Sequence, residues 1–241
     1  MMLSTWKKVS LLIWTAGIFT TTVNAQIQFG VKGGFNIAEL LTSSNQSVIV
    51  NNERMGIRNF PRTDVYGGFL LSVPLFKKFI FQPEVVYSQQ GATGNPSGGA
   101  LVSAIEKYKL NYVNIPLLIK YNLPVGFYVE TGPQVGYLLS AKVDEQLVGG
   151  VNTGKYFHVK DQFKSTDIAW VLGVGYLSPI DLGFDIRYNL SLSSINNASA
   201  SDMQSAPVQG GSIKNSVVQI GIFYLFGKSK NKTAFKAAEG S

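Results

Sequence analysis

"IDLGFDIRYNLSLS", residues 180–193, separates into two chemically different sets. Leu182, Phe184, Ile186, Tyr188, Leu190 and Leu192 form one, and Asp181, Gly183, Asp185, Arg187, Asn189 and Ser191 the other. Alternation with period two belongs to a strand whose faces meet different surroundings, because a helix would scatter both sets around its circumference. The same pattern recurs along the chain and predicts eight strands near 27–37, 63–73, 79–90, 108–122, 126–140, 165–178, 180–192 and 214–226. Strands of about 10–15 residues are long for a soluble sheet and suit a tilted span, which needs about 9–11 residues in the bilayer.

The connections sort themselves by length. "PLFKK", "NLPVG" and "SPID" are short and carry proline, whereas the stretches near 38–62, 91–107, 141–164 and 193–213 are long and rich in Ser, Asn and Gly. Short and long connections alternate, as they do in an up-and-down barrel with one turn rim and one loop rim. The expected fold is therefore all-β: an eight-stranded antiparallel transmembrane barrel with four long external loops and three short periplasmic turns. An even strand count places both ends of the barrel on the turn side.

Alternation alone fits two barrels, one with apolar residues inside around a ligand and one with them outside against lipid. Charge decides between them. The polar face carries Lys32, Gln82, Glu84, Lys120, Glu130, Gln134, Asp167, Asp185, Arg187 and Gln219 among glycines such as Gly34, Gly68, Gly132, Gly173, Gly183 and Gly221, which suits a crowded interior. The apolar face has no charge in any strand's central stretch, and Phe79, Tyr87, Tyr121, Phe127, Tyr137, Tyr176 and Tyr188 cluster near strand ends like aromatic girdles. Lipid outside is the better reading.

Composition agrees. For 241 residues, a mean hydropathy of +0.12 with 15% charged residues is apolar, yet no run of about 18 apolar residues offers a helical span. Residues 1–25 read as a cleaved secretory leader, with Lys7 and Lys8, the apolar core "VSLLIWTAGIF" and "VNA" before Gln26. The barrel then occupies 26–227, and 228–241 form a basic tail expected to be disordered in the periplasm. There is no cysteine, so neither a lipid anchor nor a disulfide frame is available. Of the net charge of +7, two units belong to the leader and three to the tail, leaving +2 for the body and no nucleic-acid footprint.

"FGVKGGFN" (29–36), "FQPEVVYSQQGA" (81–92), "LNYVNIPLLIKYNL" (110–123), "FYVETGPQVGYLLSAK" (127–142) and "DLGFDIRYNLSL" (181–192) together resemble the PorT-like outer-membrane barrels of Bacteroidetes-type bacteria, over about Gln28 to Gly227. The resemblance implies an eight-stranded barrel in the outer membrane with loops outside the cell. It implies little about activity, since the founding member is associated with protein secretion and most relatives have no assigned role. The last strand also resembles the signal by which barrel-assembly machinery recognises its clients, carried by Gln219, Gly221, Tyr224 and Phe226.

Candidates for chemistry are few. His158 is the one histidine, near Lys155, Lys160 and Asp161, and no recognised motif places a nucleophile beside it. "GGVNTGKY" (149–156) approaches a phosphate-binding loop but has Tyr156 where Ser or Thr would hold Mg²⁺. The best constellation is lumenal: Lys32, Lys120 and Arg187 can face Glu84, Glu130, Asp167 and Asp185. It reads as an ion-pair plug, since eight strands leave an interior that side chains fill. Arg54, Arg58 and Arg62 in the first long connection leave a binding surface and solvated filler equally open. The expectation is a non-enzymatic barrel without cofactor or metal. Its partners would be outer-membrane lipids, the assembly machinery and other outer-membrane or periplasmic proteins, with no nucleic acid. A small-solute channel and a secreted lipocalin-like barrel are the alternatives.

Overall fold

The computed structural model describes residues 27–42, 47–50, 53–97, 104–147, 152–158, 160–195 and 213–227. The leader and the basic tail lie outside the described residues. Among the described residues ten strands appear: β1 (Gln28–Thr42), β2 (Ser47–Val50), β3 (Glu53–Phe76), β4 (Phe79–Ser97), β5 (Ala104–Asn122), β6 (Phe127–Leu147), β7 (Asn152–His158), β8 (Thr166–Leu177), β9 (Leu182–Ser191) and β10 (Ile213–Phe226). Eight of them form an antiparallel wall in the order β1-β10-β9-β8-β6-β5-β4-β3, which β1 closes by pairing with β3. The two short strands stand off this wall, β2 on β3 and β7 on β6. Closure leaves no edge along the wall, as a span through hydrocarbon requires.

All eight predicted strands are present, but β1 and β3–β6 run further toward the loop rim than alternation suggested. β3 begins at Glu53 and β6 continues to Leu147 inside stretches expected to be loop, and "GGVNTGKY" falls partly on β7 from Asn152 onward. Beyond the bilayer both faces of a strand can meet water, so ladder hydrogen bonds persist without the period-two signature. At the other rim the turns are tight. Each contains one non-glycine residue with positive φ, namely Lys77 (40°), Val125 (63°) and Asp181 (65°), a conformation that a β-branched residue such as Val125 adopts at a cost.

Burial is inverted relative to a water-soluble protein. Along β9 the pattern alternates strictly, with Phe184 and Ile186 exposed and Gly183, Asp185 and Arg187 buried. Phe35 (59%), Phe69 (58%) and Leu172 (55%) face outward, while Lys32, Glu84, Glu130 and Gln134 face the lumen. Exposed apolar surface on this scale, with charges inside, has lipid as its solvent.

Aromatic rings line the outside at both rims. At the turn rim Phe79 packs on Phe76 and Tyr121 with centroids 5.0 Å apart in each case, and Phe127 lies 5.2 Å from Tyr176. Tyr87 and Tyr137 face outward toward the loop rim.

Three inward glycines leave room for rings, Gly175 for Tyr128, Gly183 for Phe223 and Gly221 for Tyr66. A Cβ on Gly183 would lie 2.1 Å from Phe223, its cross-strand neighbour, and one on Gly221 would lie 2.0 Å from the Tyr66 hydroxyl. Gly183→Leu is expected to cost about 1–3 kcal/mol through overpacking, read as a lower urea midpoint for the folded barrel. An unchanged midpoint would mean that the Phe223 ring moves aside freely.

Candidate functional site

The lumen is stratified. At the turn rim Leu70, Tyr128, Phe223 and Leu225, with Leu177 against them, form an apolar plug. At the loop rim Ala92, Leu110, Tyr112, Leu138 and Ala141 form a second plug, capped by Phe163 and Ile195 from the third and fourth long connections. Lys164 donates its backbone N–H to the Ile195 carbonyl, tying the two caps together at 2.7 Å.

Between the plugs lies a charged layer. Arg187 on β9 donates from Nε to Glu130 Oε1 (2.5 Å) and through its two terminal nitrogens to both oxygens of Glu84 (2.8 Å each). Its Nη2 also lies 3.3 Å from Asp185 Oδ2. Lys32 on β1 bridges Asp185 (3.2 Å) and Glu84 (3.3 Å), and Lys120 on β5 meets Glu130 at 3.5 Å. Lys120 Nζ also sits 3.9 Å from the Tyr128 ring centre and 4.7 Å from that of Phe223, so a cation–π contact joins the charged layer to the plug below it. Gln82 donates to Glu84 at 2.5 Å.

Three cations thus meet three carboxylates with almost no solvent exposure, since the side chains of Arg187, Lys32, Glu84, Glu130 and Asp185 are 0–1% exposed. The Arg187 fork supplies the bidentate geometry that a buried pair needs to offset its desolvation. Toward the loop rim an uncharged layer follows. Asn36 donates to Ser88 Oγ and to the Gln89 carbonyl, Gln219 donates to Asn36, and Asn215 donates to Gln90.

Of the seven residues expected in the ion-pair network, the structure brings six together. Asp167 is the correction. It faces the lumen and is buried, but accepts from Ser191 Oγ at 2.6 Å on the loop side of the charged layer. Its absence leaves the layer neutral, three charges against three.

A family model described as an outer membrane protein beta-barrel domain matches residues 22–197. The chain belongs to this family. It is an outer-membrane β-barrel, located in the outer membrane. Three solved structures are similar to it. The Neisserial surface protein A is 12% identical with a TM-score of 0.45, covering 82% of this chain and 97% of its own. Ail, the attachment invasion locus protein of Yersinia pestis, is 11% identical with a TM-score of 0.38, covering 83% and 98%. OprG from Pseudomonas aeruginosa is 15% identical with a TM-score of 0.38, covering 83% and 96%. No curated protein gives a significant match.

In this outer-membrane barrel the remaining sequence candidates lie apart from the charged layer. His158 is exposed on β7, in register with Lys142 on β6, and among the described residues no group of three His, Cys, Asp or Glu is placed to hold a metal. Arg54 and Arg58 lie on β3, and Arg62 pairs with Asp64 at 2.6 Å. Of the last-strand signal residues, Gln219 and Gly221 face the lumen, while Tyr224 and Phe226 face lipid with rings 5.0 Å apart.

The sequence reading missed the uncharged layer and both plugs. Asn36, Ser88, Gln90 and Asn215 lie in phase with the charged residues, so period two could have found them. Phe163 and Ile195, in irregular connections, give no periodic signal.

Proposed function

We propose that this outer-membrane barrel is a non-enzymatic, non-conducting scaffold. It works through what its outer rim and external connections contact, or as an accessory subunit of an envelope complex for secretion, assembly or uptake. The observation that carries this reading is the lumen, in which Arg187, Lys32 and Lys120 are engaged by Glu84, Glu130 and Asp185 between two apolar plugs. A solute would have to break these pairs and displace both plugs. Eight-stranded walls leave room for side chains and little else. The resemblance to PorT-like barrels supports the accessory-subunit form of the reading, and co-purification from native membrane in mild detergent would name the partner. Purified protein in planar bilayers is expected to remain electrically silent. Steady single-channel conductance, abolished when lumenal residues are enlarged, would replace the scaffold with a small-solute channel.

A further inference from the structure

Asp167 on β8 is the one member of the sequence-predicted network that stands outside the neutral charged layer. It faces the lumen and is 6% exposed. Its Oδ2 accepts from Ser191, with Ser193 also beside it, whereas Oδ1 is buried without a hydrogen-bond partner. Among the described residues no Lys, Arg or His forms an ion pair with it. The layer below balances three charges against three, so Asp167 adds a negative charge inside the wall that those pairs do not offset. A carboxylate in such surroundings is costly unless something neutralises it.

What surrounds this charge is oxygen. Gly136 on β6 is the direct register partner of Asn114 on β5 and of Asp167 on β8, so its missing side chain opens a notch between the two. Asn114 turns Oδ1 into the notch, 2.6 Å from where a Cβ on Gly136 would stand, and the Tyr112 ring leans over the same glycine with Cδ1 at 3.4 Å. The Tyr112 hydroxyl is buried without a hydrogen-bond partner, and Asp167 is the charge that acts on it. A carboxylate, an amide carbonyl and a phenol hydroxyl are thus gathered around one glycine.

We infer that these groups hold a monovalent metal cation, sodium or potassium, with Asp167 Oδ1, Asn114 Oδ1 and the Tyr112 hydroxyl oxygen as its protein ligands. One positive charge cancels that of Asp167, whereas a divalent ion would reverse its sign and water would leave it in place. Oxygen donors, one of them charged, are the set that a hard cation takes. The position also supplies a route. Thr166 pairs with the outward-facing Tyr137, so Asp167 lies at the level of the outer aromatic girdle, close to the aqueous side. An ion from outside passes the Phe163 and Ile195 caps and does not meet the charged layer. Asp167 stands four positions after Phe163 and Ser191 four before Ile195, so an ion bound there fastens the strand ends from which both caps extend.

The test is a urea titration of the full chain refolded into phospholipid vesicles, in sodium or potassium chloride, with choline chloride making up a constant ionic strength. Choline, whose charge is wrapped in methyl groups, serves as the inert cation. The parent is expected to be more stable in sodium or potassium. Its folding equilibrium constant should rise about tenfold for each tenfold of ion once the site is filled, as one ion bound per folded barrel requires. The larger of the two effects names the ion. Asp167→Asn should keep the heat-modifiable folded band and lose the dependence, while Tyr112→Phe keeps the ring in the plug and should move the dependence to higher salt. Equal parent midpoints in all three chlorides would show that a proton, not a metal ion, neutralises Asp167. An Asp167→Asn variant that kept the dependence would place the ion elsewhere on the barrel. Either result overturns the inference.

Discussion

Arg187→Met is expected to destabilise the folded barrel by about 3–5 kcal/mol, the cost of removing one side of a buried ionic cluster. The guanidinium engages Glu84, Glu130 and Asp185 together, and without it three carboxylates would share Lys32 and Lys120 alone. Methionine matches the arginine stem in length, so lost packing contributes little beside lost charge. The measurement is a urea titration of protein refolded into phospholipid vesicles, followed by Trp170, which faces lipid and donates to Thr131 at 2.9 Å. Adding Glu84→Gln should restore part of the loss, because it leaves Lys32 with Asp185 and Lys120 with Glu130, two charges against two. A midpoint unchanged by Arg187→Met would show that the pairs are not mutually dependent and would remove the main support for a sealed lumen.

The neighbouring residue gives the opposite substitution. Ile186 is 53% exposed on the lipid face and pairs with Val174 and Ile220 across its two neighbouring strands. Ile186→Arg is expected to cost about 2–4 kcal/mol, the price of a cation near the bilayer midplane. In a water-soluble barrel of the same shape, an exposed isoleucine changed to arginine would be close to neutral. The pair of variants therefore reads out which solvent each face of one strand meets. If Ile186→Arg left the urea midpoint in vesicles unchanged, the outward face would not be in hydrocarbon.

The strand count, the closed topology and the direction of each face were legible because a bilayer forces a strict chemical difference between the two sides of every strand. Asp185, Ile186 and Arg187 alone carry that information. Depth was not legible. Asp167 shares the phase of Arg187, but the ladder pairs Arg187 with Gly173, six residues from Asp167 and about 20 Å along the strand. Alternation assigns a side chain to a face, and only the stagger of the ladder assigns it to a layer. The strand extensions past the bilayer were hidden for a related reason: from Glu53 to Pro61 on β3, ladder pairing continues without alternation to mark it. Phe163 and Ile195 escaped because capping residues in irregular segments have no phase at all.

The charged layer also bears on how the barrel can be built. Its contacts join distant parts of the chain, with Lys32 and Asp185 separated by 153 positions and Glu84 and Arg187 by 103. The wall closes where β1 meets β10, the first and last strands of the barrel. A partly assembled sheet entering the membrane would therefore present lone ammonium, guanidinium and carboxylate groups to hydrocarbon, each costly there. Lys120 meets Glu130 on the neighbouring strand and Arg187 meets Asp185 on its own, but Lys32 and Glu84 gain their partners only when β1, β4 and β9 curl around the same point. Insertion strand by strand is thus penalised, and the favoured route is a late, concerted event that waits for the whole polypeptide and ends in one step.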